Sequence, residues 1–193
     1  MSGDQGGRPT VLVVDDEEEV AAVYELRLSS DYDVRVAHGG EEALDIVDET
    51  VDVVLLDRRM ADLSGDEVLE RIRERGLDCR VVLITAVDPD FDILDLPLDD
   101  YLCKPVDGET LLTAVRQQLS AAEYDEHLSA YFSISSKLAV LEAEKRPAAL
   151  ETSEEYQELK ERANELRGQL DDTLGEFDDM EDAFREVNRA PRQ

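Results

Sequence analysis

Val53-Val54-Leu55-Leu56-Asp57 is a run of four apolar residues closed by an aspartate, followed at once by Arg58, Arg59 and a polar loop. So short and continuous an apolar run suits a strand buried on both faces of a parallel sheet. Open α/β sheets place their chemistry where such strands turn polar. Taken alone, Asp57 reads as a helix N-cap or a solvated turn aspartate. Any further role depends on what the rest of the chain brings to the same edge.

Working outward, Thr10 to Val14 is a second β-branched run, and it also ends in acids, Asp15 and Asp16, with Glu17, Glu18 and Glu19 behind them. The spacing of Val20, Val23, Tyr24 and Leu28 predicts a helix over 17–29. A strand is expected over 33–37, broken by His38-Gly39-Gly40, then a helix over 41–48 with Ala43, Leu44 and Val47 on one face. Val68, Leu69 and Ile72 mark an amphipathic helix over 65–75. A fourth strand covers 80–84 and ends in Thr85. A fifth covers 100–103 and runs into Lys104-Pro105, with a helix over 107–119 after it. Strands alternating with helices through short loops give the fold class: α/β, with a five-stranded parallel doubly wound sheet.

From about residue 121 no strand pattern remains and charge rises. Tyr124, Tyr131, Ile134, Leu138 and Leu141 predict a helix over 121–145, broken near Arg146-Pro147. Thr152 and Glu155 read as a capping box that restarts a helix over 153–188. Tyr156, Leu159, Ala163, Leu166, Leu170, Thr173, Phe177, Met180, Phe184 and Val187 then form a heptad-like stripe, weakened by Gly168 and Gly175. An all-α C-terminal region is expected: an antiparallel hairpin, a dimeric coiled coil, or both. The domain plan is a disordered N-terminus over 1–8, an α/β domain over 9–120, a helical domain over 121–188 and a frayed tail over 189–193.

Forty-nine acidic residues against twenty basic ones give a formal charge of −29. That charge opposes nonspecific binding to nucleic acid or an anionic membrane. Four lysines against sixteen arginines, among so many carboxylates, fit a protein of concentrated salt, where a Debye length of ~3 Å at 1 M screens self-repulsion. An acidic protein of ordinary salinity is the competing explanation. Cys79 and Cys103 make no disulfide framework, and Cys103 reads as a buried strand residue. No apolar stretch approaches the ~20 residues of a membrane span. A cytoplasmic location is expected.

A parallel sheet delivers every strand's C-terminal end to one edge, so Asp15, Asp16, Asp57, Thr85 and Lys104 should converge there. Three carboxylates repel, and a cation among them relieves the repulsion. Hard oxygen donors suit Mg²⁺, and a lysine with a hydroxyl at the same edge suits a phosphoryl group. Together these specify phosphoryl transfer to a carboxylate, with Asp57 a nucleophile already ionised at neutral pH.

The residues V-V-D-D-E at the start, L-L-D-R-R-M-A-D-L-S-G in the middle, I-T-A after the fourth strand and D-Y-L-C-K-P at the fifth resemble the receiver domain of two-component response regulators. The resemblance covers about 8–120. It implies that Asp57 is phosphorylated by a histidine kinase or phosphotransfer protein, and that Asp16, Asp57 and the Arg59 backbone carbonyl hold Mg²⁺, with Asp15 acting chiefly through water. It implies further that Lys104 pairs with the phosphoryl group, that Thr85 moves to hydrogen-bond it and that Tyr101 rotates inward with that move. Two departures stand out. Ala61 replaces the proline that usually follows the methionine of the middle motif, and the span 86–99 is about one turn shorter than the family's fourth helix with its loops. The C-terminal sequence, notably F-S-I-S-S-K-L-A-V-L-E-A-E-K, resembles the HalX helical domain that follows receivers in haloarchaeal regulators.

These readings imply a non-enzymatic, phosphorylation-controlled switch whose downstream partner is a protein, with a homodimer through the C-terminal helices as one arrangement. Direct DNA binding is not expected, since no helix carries a basic reading face. Two other classes compete. One is a coiled-coil scaffold with a non-switching receiver. The other is an aspartyl-phosphate hydrolase, although such enzymes carry an acid two residues after the nucleophile, where this chain has Arg59.

Overall fold

The computed structural model describes residues 7–86 and 96–187, with side chains through 175. The chain divides into two compact units, 1–119 and 120–193.

In the first unit the strands β1 (Thr10–Val14), β2 (Asp33–Ala37), β3 (Val53–Asp57), β4 (Arg80–Thr85) and β5 (Asp100–Cys103) form one parallel sheet in the order β2-β1-β3-β4-β5. The central strand β3 is buried along its whole length, as its unbroken apolar sequence requires. Alternate residues of each strand feed two cores. Leu12, Val14, Val54, Leu56, Val81 and Leu83 face one, and Val11, Val13, Val53, Leu55, Val82 and Ile84 face the other.

Helices α1 (Glu18–Leu28), α2 (Gly40–Ile46) and α3 (Gly65–Glu74) connect the strands. The face that α1 buries is Ala21, Tyr24 and Leu28, whereas Val23, expected on that face, is 54% exposed. An alanine and a tyrosine body cover the sheet there, so the valine at the neighbouring position turns outward. Ser64 caps α3 in a full capping box with Glu67. The shortened span 86–99 falls for the most part outside the described residues, as do the disordered N-terminus expected over 1–8, apart from its last two residues, and the frayed tail over 189–193.

Helix α4 (Gly108–Glu144) is one continuous element where two helices, over 107–119 and 121–145, were expected. The change of composition near Ser120-Ala121-Ala122 brings no glycine or proline, and good helix formers carry the backbone through. Proline does break the helix at the expected place: Pro147 opens the short α5 (Pro147–Glu151) at its first turn.

Helix α6 (Glu154–Val187) begins one residue away from the expected cap. Ser153 Oγ accepts the Tyr156 N–H at 3.2 Å, while the Thr152 hydroxyl bonds back to the Ala148 and Ala149 carbonyls. Thr152 and Glu155 therefore form no capping box. Tyr156, Ala163, Leu166 and Leu170 are buried within the single chain, and the Tyr156 hydroxyl donates to Glu142 of α4 at 2.7 Å. At these positions the stripe is covered without a second chain, which is the hairpin alternative. The side chains of Phe177, Met180, Phe184 and Val187 lie outside the described residues.

The turn after β3 has no spare volume. A Cβ at Gly65 would stand inside contact distance of the Asp57 carbonyl oxygen and 2.8 Å from Arg58 Cα. Gly65→Ala is expected to lower unfolding stability by about 2 kcal/mol or more in a denaturant titration, because backbone rather than a flexible side chain must give way. A loss under about 0.5 kcal/mol would contradict that packing.

Candidate functional site

The register of the sheet builds the site. Val14 pairs with Leu56 and Asp57 with Ile84, so the residues just past β1 lie beside the last residue of β3. Thr85 pairs with Cys103, and the Lys104 N–H donates to the Thr85 carbonyl at 2.6 Å, which fixes where the lysine leaves β5. The Arg58 N–H donates to the Ile84 carbonyl at 2.9 Å and holds the chain beyond Asp57 to the same edge.

Carboxylate oxygens of Asp15, Asp16 and Asp57 lie within 4.8 Å of one another. Lys104 Nζ stands 2.8 Å from Asp15 Oδ2, 3.3 Å from Asp57 Oδ2 and 3.9 Å from Glu17 Oε1. Asp15 and Asp57 are buried and Asp16 is half-buried. Backbone amides orient all three acids. Glu17 N–H donates to Asp15 Oδ1 at 3.0 Å, Ala61 N–H to Asp16 Oδ2 at 2.9 Å, and the Arg59 amide to the Asp57 carboxylate.

Burial pushes the Asp57 carboxyl up from its ordinary value; Lys104 pulls it back and the Asp15 charge raises it again. For Lys104 burial acts downward, yet its hydrogen bond to Asp15 and the charges of Asp57 and Asp15 outweigh it, and the ammonium titrates above its usual range. The ion pairs are thus strong enough to keep Lys104 charged in a largely dry place.

Thr85 is fully buried at the tip of β4. Tyr101 is half-buried, pairs with Leu83 and packs against that residue's core, so it lies one step back from Thr85 on the same sheet face. Arg59 is exposed. Cys103, expected to be buried, is exposed instead, because β5 is an edge strand with one uncovered side at its end.

Three contributors escaped the sequence reading. Glu17, one of a run of acids, reaches Lys104. Tyr24, expected on the packed face of α1, has a hydroxyl that titrates high, chiefly from burial, and feels Lys104, Asp15 and Asp57. Asp62 ties the loop after β3 to α2: its Oδ1 accepts the Gly40 N–H at 3.1 Å and its Oδ2 the Glu41 N–H at 3.0 Å. Of these, only the clustering of acids behind Asp16 was a visible signal.

The fold is thus a five-stranded parallel sheet of the α/β class with a buried acidic cluster and a lysine at its carboxyl edge. Residues 11–116 match the response regulator receiver domain and residues 120–187 the HalX domain. The chain belongs to the receiver-domain family, with a HalX domain following.

A candidate transcriptional regulator of Haloferax volcanii is 48% identical over 134 residues, which are 69% of this chain and 23% of that protein. The Bacillus subtilis transcriptional regulatory protein YkoG is 41% identical over 114 residues, 56% of this chain and 50% of its own length. This chain therefore spans half or less of the length of these two relatives. The response regulator TrrA of Thermotoga maritima, solved in complex with Mg²⁺ and a beryllium fluoride, is 30% identical with a TM-score of 0.51, over 57% of this chain and 99% of that one.

The upward displacement of Asp57 has a consequence for stability. Its folded-state value lies above that of an aspartate in the unfolded chain, so the charged form disfavours the fold at neutral pH. The cost disappears as the pH falls below the unfolded value. Asp57→Asn should therefore raise the melting temperature of the metal-free protein by a few degrees at neutral pH, with the difference closing toward acid. An equal or lower melting temperature at neutral pH would contradict this balance of charges.

Proposed function

We propose that the chain is the phosphoacceptor of a two-component relay, with Asp57 the residue that takes the phosphoryl group from a phosphohistidine of a histidine kinase or phosphotransfer protein. The observation that carries this reading is the meeting of Asp15, Asp16 and Asp57 within 4.8 Å beside the Lys104 ammonium.

The residues fit Mg²⁺. Three carboxylates against one ammonium leave two negative charges uncompensated in a buried place, and all the donors are hard oxygens. Asp16, Asp57 and the Arg59 backbone carbonyl would hold the ion, with Asp15 reaching it chiefly through water. When bound, Mg²⁺ supplies positive charge for the oxygens of the transferring group.

The Asp57 carboxylate attacks phosphorus, its O–P bond forms as the P–N bond of the phosphohistidine breaks, and the imidazole, protonated at its other ring nitrogen, leaves neutral. No base is required, because the nucleophile is already ionised. Lys104 turns from Asp57 to a phosphoryl oxygen, the Thr85 hydroxyl donates to another, and Tyr101 moves inward on the face it shares with Thr85. Apart from forming and losing this acyl phosphate, the chain carries out no turnover.

Both sequence relatives are named for transcriptional regulation, and the HalX domain accompanies the receiver here, so control of transcription through the helical unit is the output we assign. The downstream partner is a protein engaged by that unit.

Addition of beryllofluoride to the Mg²⁺-saturated protein in high salt is expected to shift amide resonances around Asp57, Thr85 and Tyr101 in the wild type and to leave Mg²⁺-saturated Asp57→Asn unchanged. An unresponsive wild type would contradict the switch. A response that survives Asp57→Asn would contradict the assignment of the acceptor.

A further inference from the structure

Ala61 lies four residues beyond Asp57, in the loop between β3 and α3, and its backbone N–H donates to Asp16 Oδ2 at 2.9 Å. Lys104 pairs with Asp15 and Asp57, and this amide donates to Asp16. Asp16 is also the least buried of the three acids. A half-buried carboxylate with free rotamers would spend part of its time turned to solvent, away from the other two.

The loop that presents the amide is itself anchored from the next residue. Asp62 accepts the Gly40 and Glu41 N–H groups at the start of α2. Gly39 keeps that approach open, since a Cβ there would stand 2.8 Å from Asp62 Oδ2. The same short segment is closed on its far side by the bidentate Arg58–Asp66 pair and by the Gly65 N–H on the Arg58 carbonyl at 2.9 Å. The loop that carries the amide at 61 is thus anchored at both ends, to the start of α2 and to the start of α3.

We infer that the Ala61 amide is a positioning group for divalent-cation binding: it holds Asp16 turned toward Asp15 and Asp57 and so raises the affinity of the cluster for Mg²⁺. This rests on the reading of the cluster as a Mg²⁺ site. A carboxylate has two oxygens and several acceptor directions, so accepting one N–H leaves it able to ligate a cation. The contact depends on residue type at 61 only through the N–H. Proline has none and would abolish it, whereas glycine keeps it.

The test is Mg²⁺ titration of the full chain by calorimetry, with the unfolding midpoint of each metal-free variant as the check on folding. Ala61→Pro should bind Mg²⁺ roughly three- to tenfold more weakly, the range expected for one hydrogen bond to a charged, partly exposed group. Ala61→Gly should stay within about twofold of wild type. Affinity unchanged in Ala61→Pro would overturn the inference, as would an equal loss in Ala61→Gly, which would point to loop stiffness rather than the amide.

Amide hydrogen exchange of the wild type provides a readout that needs no variant. The Ala61 N–H should be protected both without metal and with Mg²⁺ bound, and rapid exchange in either state would overturn the inference. A wild type that binds no Mg²⁺ at millimolar concentration would overturn both this inference and the reading it rests on. Binding that is indifferent to residue 61 would overturn the inference alone.

Discussion

The Lys104 ammonium sits between two buried aspartates that come from strands far from it in sequence, 2.8 Å from one and 3.3 Å from the other. That contact is the point on which the site depends, because it makes tolerable an arrangement that electrostatics otherwise opposes. Three carboxylates gathered at one sheet edge repel, and burial deepens the cost for Asp57, whose carboxyl is pushed up despite the lysine. One ammonium compensates only part of that charge. On the proposed function the remainder favours a divalent cation, and that cation together with Lys104 would receive the oxygens of the phosphoryl group. The sheet makes the crowding unavoidable: with β1 and β3 paired in parallel register, Asp15 and Asp57 have no other place to go.

The fold could be read from the sequence because its signals were of the kind that tertiary context reinforces. Val53 to Leu56 is apolar without interruption, and only a strand covered on both faces accommodates it. Convergence of Asp15, Asp16, Asp57, Thr85 and Lys104 followed from parallelism alone, and the resemblance to receivers named the same positions. What could not be read was of another kind. The Ala61 N–H on Asp16 and the grip of Asp62 on the start of α2 are contacts made by or to backbone, which residue types do not announce. Val23 turns outward on α1 while Ala21 and Tyr24 face the sheet, because the hydrophobicity of a residue does not by itself fix which side of a helix is covered. The cap of α6 slipped from Thr152 to Ser153, since two hydroxyl residues stood side by side and local geometry chose between them. The continuity of α4 was hidden by a change of composition that carries no helix breaker.

The helical unit answers a question that periodicity left open. A stripe at alternating three- and four-residue spacing is compatible with a hairpin or with a partner chain, and only burial distinguishes them. Tyr156, Ala163, Leu166 and Leu170 are buried within one chain, and the hydroxyl of Tyr156 reaches Glu142 across the Pro147 turn. The strongly acidic surface around both units is the other constant of the chain, and experiments in concentrated salt are the natural condition for it.

On the proposed function, Asp57 carries the phosphoryl group. Intact-mass and peptide mass spectrometry after incubation with acetyl phosphate and Mg²⁺ in high salt tests it most directly. One added phosphoryl group is expected, removed by hydroxylamine as an acyl phosphate requires, located to the peptide containing Asp57 and missing in Asp57→Asn. A phosphoryl group on another residue, one resistant to hydroxylamine, or none at all would contradict it.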